Sequence, residues 1–169
     1  YVMVHVYVPE AIRRAIRAGV KSIEHGQLID EPTMKLIAEK GVWLSMQPFI
    51  GEGNNHYTNP VQQAKHELVV QGTDRAYQLA KKYGVKLAWG TDLLFSPANA
   101  RNQNLNIEKM TRWFSNFEIL KMITHDNAEL LALSGRRNPY PGKLGVIEEG
   151  ALADLIVVDG NALEDIKVL

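Results

Sequence analysis

The sequence predicts an α/β fold with parallel strands, and three observations predict it. Short apolar stretches of period two alternate with amphipathic stretches of helical period. Glycine or proline punctuates the changes of period. Most connections between the stretches are short, as expected for parallel strands joined by right-handed helical crossovers.

The elements follow in order. Val2, Val4, Val6 and Val8 alternate with Met3, His5 and Tyr7, which makes the opening segment a strand with two distinct faces. Pro9 suits the first turn of a helix, and Ala11, Ile12, Ala15 and Ile16 continue it to Gly19. Val20 to His25 is a second strand. Asp30-Glu31-Pro32 opens a helix that Gly41 stops, and Val42 to Gln47 is a third strand. A polar stretch from Pro48 to Pro60 precedes a long helix, Val61 to Tyr83, closed by Gly84, and Val85 to Trp89 is a fourth strand.

The remainder has another character. Leu93 to Asn106 reads as polar loop, and Trp113 to Leu133 as mainly helical, with Thr124 or Asp126 as caps of a last helix. Asn138-Pro139-Tyr140-Pro141-Gly142 is a turn-rich link. Beyond it Ala153 to Asp159 alternates as a strand. A boundary is therefore placed near Gly142, with β/α units in 1–142 and a small β segment in 143–169.

Composition narrows the function classes. Of 169 residues 46% are hydrophobic and 22% charged, the profile of a folded domain and not a disordered one. Lys plus Arg equals Asp plus Glu at 19 each, so no bulk field attracts nucleic acid or an anionic membrane. The longest apolar runs, such as Leu155 to Val158, are too short to span a bilayer. Without cysteine there is neither disulfide nor thiolate ligand, so a metal must be held by His, Asp, Glu or a modified Lys. Lack of cysteine inclines localisation towards the cytoplasm but leaves it open, since the chain starts at Tyr1 without an initiator Met and a signal peptide would lie upstream.

In parallel α/β folds the reacting groups gather at the carboxyl ends of strands. His5, His25 and Asp92 fall there, and each offers a lone pair that suits zinc or a similar divalent cation. Each also has a plain alternative: a strand histidine packs in a core or rim, and an aspartate after Gly90-Thr91 caps a turn. Tyr7 and His56 are candidate substrate contacts, with interior packing and loop solvation as their respective alternatives. His66 reads as surface, His125 as part of a helix start, Arg101 as solvated, and Trp113 and Phe114 as ordinary packing. No Gly-x-Gly-x-x-Gly or Walker-type loop occurs, which argues against a phosphate-binding domain.

Four motifs in sequence order carry a resemblance. Val4-His5-Val6-Tyr7, then Ala18-Gly19-Val20-Lys21-Ser22-Ile23-Glu24-His25-Gly26, then Gly90-Thr91-Asp92 are similar to the last four strands of an amidohydrolase barrel. The segment from Gly142 to Gly160, preceded by Asn127-Ala128-Glu129-Leu130-Leu131, is similar to that superfamily's return from barrel to β-sandwich. The resemblance runs over nearly the whole chain and is nearest the imidazolonepropionase-like and prolidase-like branch, which includes Xaa-amino-acid dipeptidases.

The resemblance implies the C-terminal half of a (β/α)8 barrel of the TIM type plus part of a small β-sandwich. It implies a metal-dependent hydrolase of C–N bonds in small amides, cyclic amides or dipeptides, using one or two divalent ions, zinc foremost. His5 and His25 would bind or flank the metal; Asp92 would contact it and shuttle the proton of the attacking water. Relatives also need a His-x-His pair and often a carboxylated lysine, both upstream of Tyr1. The parent protein is therefore expected to be the enzyme and this chain alone to be inactive; the alternative is a catalytically incomplete fragment or pseudoenzyme with a structural or assembly part. Half a barrel leaves edges and an interior layer (Met3, Tyr7, Ser45, Gln47, Ala88) open, so a homo-oligomer or completion by an N-terminal half is expected.

Overall fold

A computed structural model describes residues 1–51, 57–93, 100–101 and 103–169. Four strands, β1 (Met3–Val6), β2 (Ser22–His25), β3 (Trp43–Met46) and β4 (Leu87–Trp89), form one sheet in the order β1-β2-β3-β4. The sheet order equals the chain order, as successive β/α units require. β1 and β2 are parallel with Met3 opposite Ser22 and Val6 opposite His25; β2 and β3 are parallel with Ser22 opposite Trp43. The Leu44 N–H donates to the Lys86 carbonyl at 2.9 Å, just before β4 begins. Helices α1 (Pro9–Arg17), α2 (Glu31–Lys40) and α3 (Pro60–Tyr83) occupy the three connections.

The chain divides into two compact units, Val2–Leu87 and Tyr1 with Ala88–Leu169. In the first, local chemistry sets each helix. Proline stands in the first turn of all three, where its missing N–H is not needed. Asp30 caps α2 by accepting from the Thr33 N–H, and Asn59 caps α3 by accepting from the Val61 N–H. Gly41 and Gly84 close α2 and α3 in the left-handed conformation. Ile12 and Ile16 of α1, Met34 and Ile37 of α2, and Ala76, Tyr77 and Ala80 of α3 are buried along with Ile23, Leu44 and Met46 of the strands. Tyr77 anchors α3 directly, its hydroxyl donating to the Met46 carbonyl at 3.2 Å. Gly72 lets α3 run against the chain just after β2: a Cβ there would lie 2.3 Å from the Gln27 carbonyl oxygen.

In the second unit, α4 (Leu105–Lys109) passes into a 3-10 turn, Met110–Arg112. Helix α5 (Asn116–Lys121) starts with a reciprocal capping box between Ser115 and Glu118. It continues through a π turn, Met122–Asp126, into α6 (Asn127–Ala132). Asn127 fastens the end of β4, its Oδ1 accepting from the Trp89 N–H at 2.9 Å and its Nδ2 donating to the Trp89 carbonyl at 3.0 Å. Ala88, Ile107, Met110, Phe114, Ile119, Met122, Leu130 and Ile166 are the buried apolar side chains among this unit's described residues.

Several expectations need correction. Neither Thr124 nor Asp126 caps a separate helix, because the backbone stays helical through both: Thr124 turns its hydroxyl back to the Leu120 carbonyl at 2.6 Å, and Asp126 has helical φ and ψ. Helix α4 begins inside the stretch expected to be loop, at Leu105. The strand expected over Ala153–Asp159 does not form; Leu155, Ile156 and Val157 are 72%, 77% and 100% exposed. Period two describes a face, and a face becomes a strand only when a neighbour pairs with it. Among the described residues the pairing here is a single bridge, Lys143 with Ala151. Of the interior layer expected to be open, Met3 is exposed, but Ser45, Gln47 and Ala88 are buried. No helix of the described residues is long and apolar enough to cross a membrane.

Candidate functional site

Three of the side chains singled out in the sequence meet at the carboxyl ends of β1 and β2. The His5 and His25 rings are 4.4 Å apart between centroids and edge-on; Tyr7 stacks on His25 at 4.7 Å with planes 14° apart, and lies 5.3 Å from His5. His5 and Tyr7 share a face of β1, whereas His25 is opposite Val6, on the other face of the pleat. A backbone turn resolves this: His25 has φ 82, in the left-handed region, so it leaves the pleat and swings its ring to the side of His5. His25 is buried at 4% exposure and His5 is exposed.

Gln47, just past β3, completes the arrangement. Its Oε1 lies 2.6 Å from His25 Nδ1, and Gln47 is itself buried. An amide oxygen only accepts, so Nδ1 carries the proton in this bond. Neutral imidazole with Nδ1–H held by an oxygen is the form in which histidine ligates a metal. The donor set therefore fits a divalent cation: two imidazoles side by side, one of them oriented and fixed in its tautomer. Sequence reasoning placed Gln47 in the interior layer without seeing this bond, although its position just past a strand end was the available signal.

The other candidates are placed as follows. Asp92 stands three residues beyond β4, exposed, with φ 53, and belongs to the second unit. His56 lies outside the described residues. His66 is half-buried, its ring 5.4 Å from that of Tyr57, and both line a cavity of 440 Å³ together with Tyr7. His125, Asp126 and Glu129 have ligand atoms within 4.8 Å of one another, but Asp126 accepts from both Lys121 and His125 and so is already occupied by an ammonium and an imidazole. Arg101 is exposed, and Phe114 is buried as expected.

The family model described as Amidohydrolase family matches residues 1–169, the whole chain. The chain belongs to the amidohydrolase family. Ochratoxinase of Aspergillus niger is 33% identical over 171 residues, covering 99% of this chain and 34% of that protein. Among solved structures, a prolidase complexed with N-methylphosphonate-L-proline has a TM-score of 0.84 at 36% identity over 99% of this chain and 40% of its own. A Xaa-Pro dipeptidase with methionine bound in the active site has a TM-score of 0.83 at 32% identity over 99% and 41%. The chain thus spans about a third of the length of the curated relative and two fifths of these structures. The sheet with its crossover helices corresponds to the part of the amidohydrolase barrel shared with those neighbours.

Proposed function

We propose that this chain carries part of the active site of a metal-dependent hydrolase that cleaves the C–N bond of small amides or dipeptides. The observation that carries the reading is the His5–His25 pair, with His25 held in its ligating tautomer by Gln47. The prolidase and the Xaa-Pro dipeptidase among the structural neighbours support a dipeptide-like substrate.

His5 and His25 would hold a divalent cation, zinc in our reading, through their imidazole nitrogens. Such a cation, when bound, lowers the pKa of water towards about 7 and polarises a carbonyl. Gln47 keeps the His25 ring from rotating and keeps its proton on Nδ1. Asp92 takes the proton of the attacking water and delivers it to the leaving nitrogen, a role assigned from the Gly90-Thr91-Asp92 motif. Tyr7, stacked on His25, contacts the substrate, and His56 is proposed as a second substrate contact from its place in the sequence alone.

Zinc binding and hydrolysis of a dipeptide panel, measured on the protein and on His25→Ala and Asp92→Asn, test this. The expected result is zinc affinity lowered at least tenfold by His25→Ala, and hydrolysis lowered on the order of a hundredfold by Asp92→Asn with the fold retained. Hydrolysis that is unchanged in both variants sinks the proposal.

A further inference from the structure

The described residues that line the cavity beside the histidine pair all belong to the first unit. Leu28, from the loop after β2, and Phe49, after β3, form its apolar walls; Leu68 and Val69 of α3 face them. Tyr7 closes one side, and its ring is the one stacked on His25. At 440 Å³ it falls within the roughly 300–1,000 Å³ of small-molecule sites, and an apolar cavity of about 150 Å³ already accepts benzene. None of its described lining residues is acidic, whereas Lys65 contributes a cation.

We propose that this cavity is the subsite for an aromatic or branched aliphatic side chain carried by the amide substrate. The proposal rests on the reading of the site as an amide hydrolase and adds the substrate class. An apolar side chain leaves water for a wall of leucine, phenylalanine and valine, and is stabilised by about 25 cal/mol per Å² buried. A lysine or arginine side chain would meet no carboxylate among the described lining residues and would meet the Lys65 ammonium. Because Tyr7 is shared between the cavity wall and the ring cluster, a side chain held here keeps its own backbone amide beside His5 and His25. The amides favoured are therefore those of phenylalanine, leucine and similar residues, over those of glycine or lysine.

Binding measured with divalent metal removed by a chelator, so that turnover is blocked, tests this on the full chain, using N-acetyl-L-phenylalaninamide, N-acetylglycinamide and N-acetyl-L-lysinamide as probes read by titration calorimetry. The phenylalanine probe is expected to bind at least tenfold more tightly than the other two. Val69→Trp, which fills the cavity, and Leu68→Lys, at a position 55% exposed that tolerates the change, should each abolish that preference. Val61→Trp, exposed on the same helix and outside the cavity, should keep it. Equal affinity for the three probes, or a preference that survives Leu68→Lys, overturns the proposal. A phenylalanine preference in a protein that cleaves no amide refutes the hydrolase reading and leaves the cavity assignment standing; equal kcat/KM for phenylalanine and glycine amides refutes the cavity and leaves the hydrolase reading.

Discussion

Asp30 shows how single residues set the frame around the site. Burial alone would raise its pKa, but the hydrogen bonds from Thr33 and Arg13, with the Arg13 charge, hold the carboxyl below its ordinary 3.8. A carboxylate with a lowered folded-state pKa adds stability above the unfolded value and loses it as pH falls through the folded one. The contribution is complete at neutral pH and is lost progressively as pH falls below 3.8 through the lower folded-state value. Since Asn caps nearly as well as Asp, Asp30→Asn isolates the charge: urea midpoints should show the wild type ahead by about 0.5 kcal/mol at pH 7, with the gap narrowing as pH falls below 3.8. A gap that persists unchanged at pH 3 contradicts the assignment. His25 was legible in the sequence as a strand-end histidine, but its face was not. Period two assigns it to the side of Val6, and only the left-handed turn, which costs a non-glycine residue about 1 kcal/mol, brings it to His5. Gln47 was illegible as its partner because a bond across 22 residues of chain depends on strand register, which no local pattern encodes.

At the scale of elements, α3 is located by two contacts of opposite kind. Tyr77 holds it to β3 by burial and a hydrogen bond, and Gly72 permits its approach to the chain after β2. Alanine favours an α-helix over glycine by about 1 kcal/mol. At Gly72 that preference loses, because the added carbon would meet backbone at 2.3 Å, and backbone on both sides must shift. Gly72→Ala should therefore cost about 1–3 kcal/mol and lower the melting temperature by several degrees. A raised melting temperature would show that the helix can move away freely. The sequence marks α1, α2 and α3 clearly because proline, cap residues and closing glycines act within one turn of chain. It does not mark the π turn at Met122–Asp126, where no proline, glycine or engaged cap interrupts the helix. Nor does it separate the expected strand at Ala153–Asp159 from an unpaired extended segment, since pairing is a property of two segments and not of one.

For the molecule as a whole, the order of the four strands follows from chain connectivity, which is why the fold class could be read before any contact was known. The second unit was less legible: its buried residues are dispersed among short helices and turns joined by long-range polar contacts, such as Asn116 Nδ2 donating to the Leu163 carbonyl and Asn104 Nδ2 to the Leu169 carbonyl. The two regions should also differ in how long they survive. Residues 153–158 carry neither a helix nor a ladder, and 153–157 are exposed with Val158 half-buried, so the backbone there can enter a protease cleft without prior unfolding. Elastase should open the chain within 153–158 before it cuts any bond in α1, α2 or α3; mass spectrometry that finds a helix cut first would refute this. Degradation follows the free energy of exposing the least protected bond. For this chain that free energy is close to zero at Ile156 and Val157, so its half-life in the presence of proteases should be insensitive to mutations that stabilise the sheet.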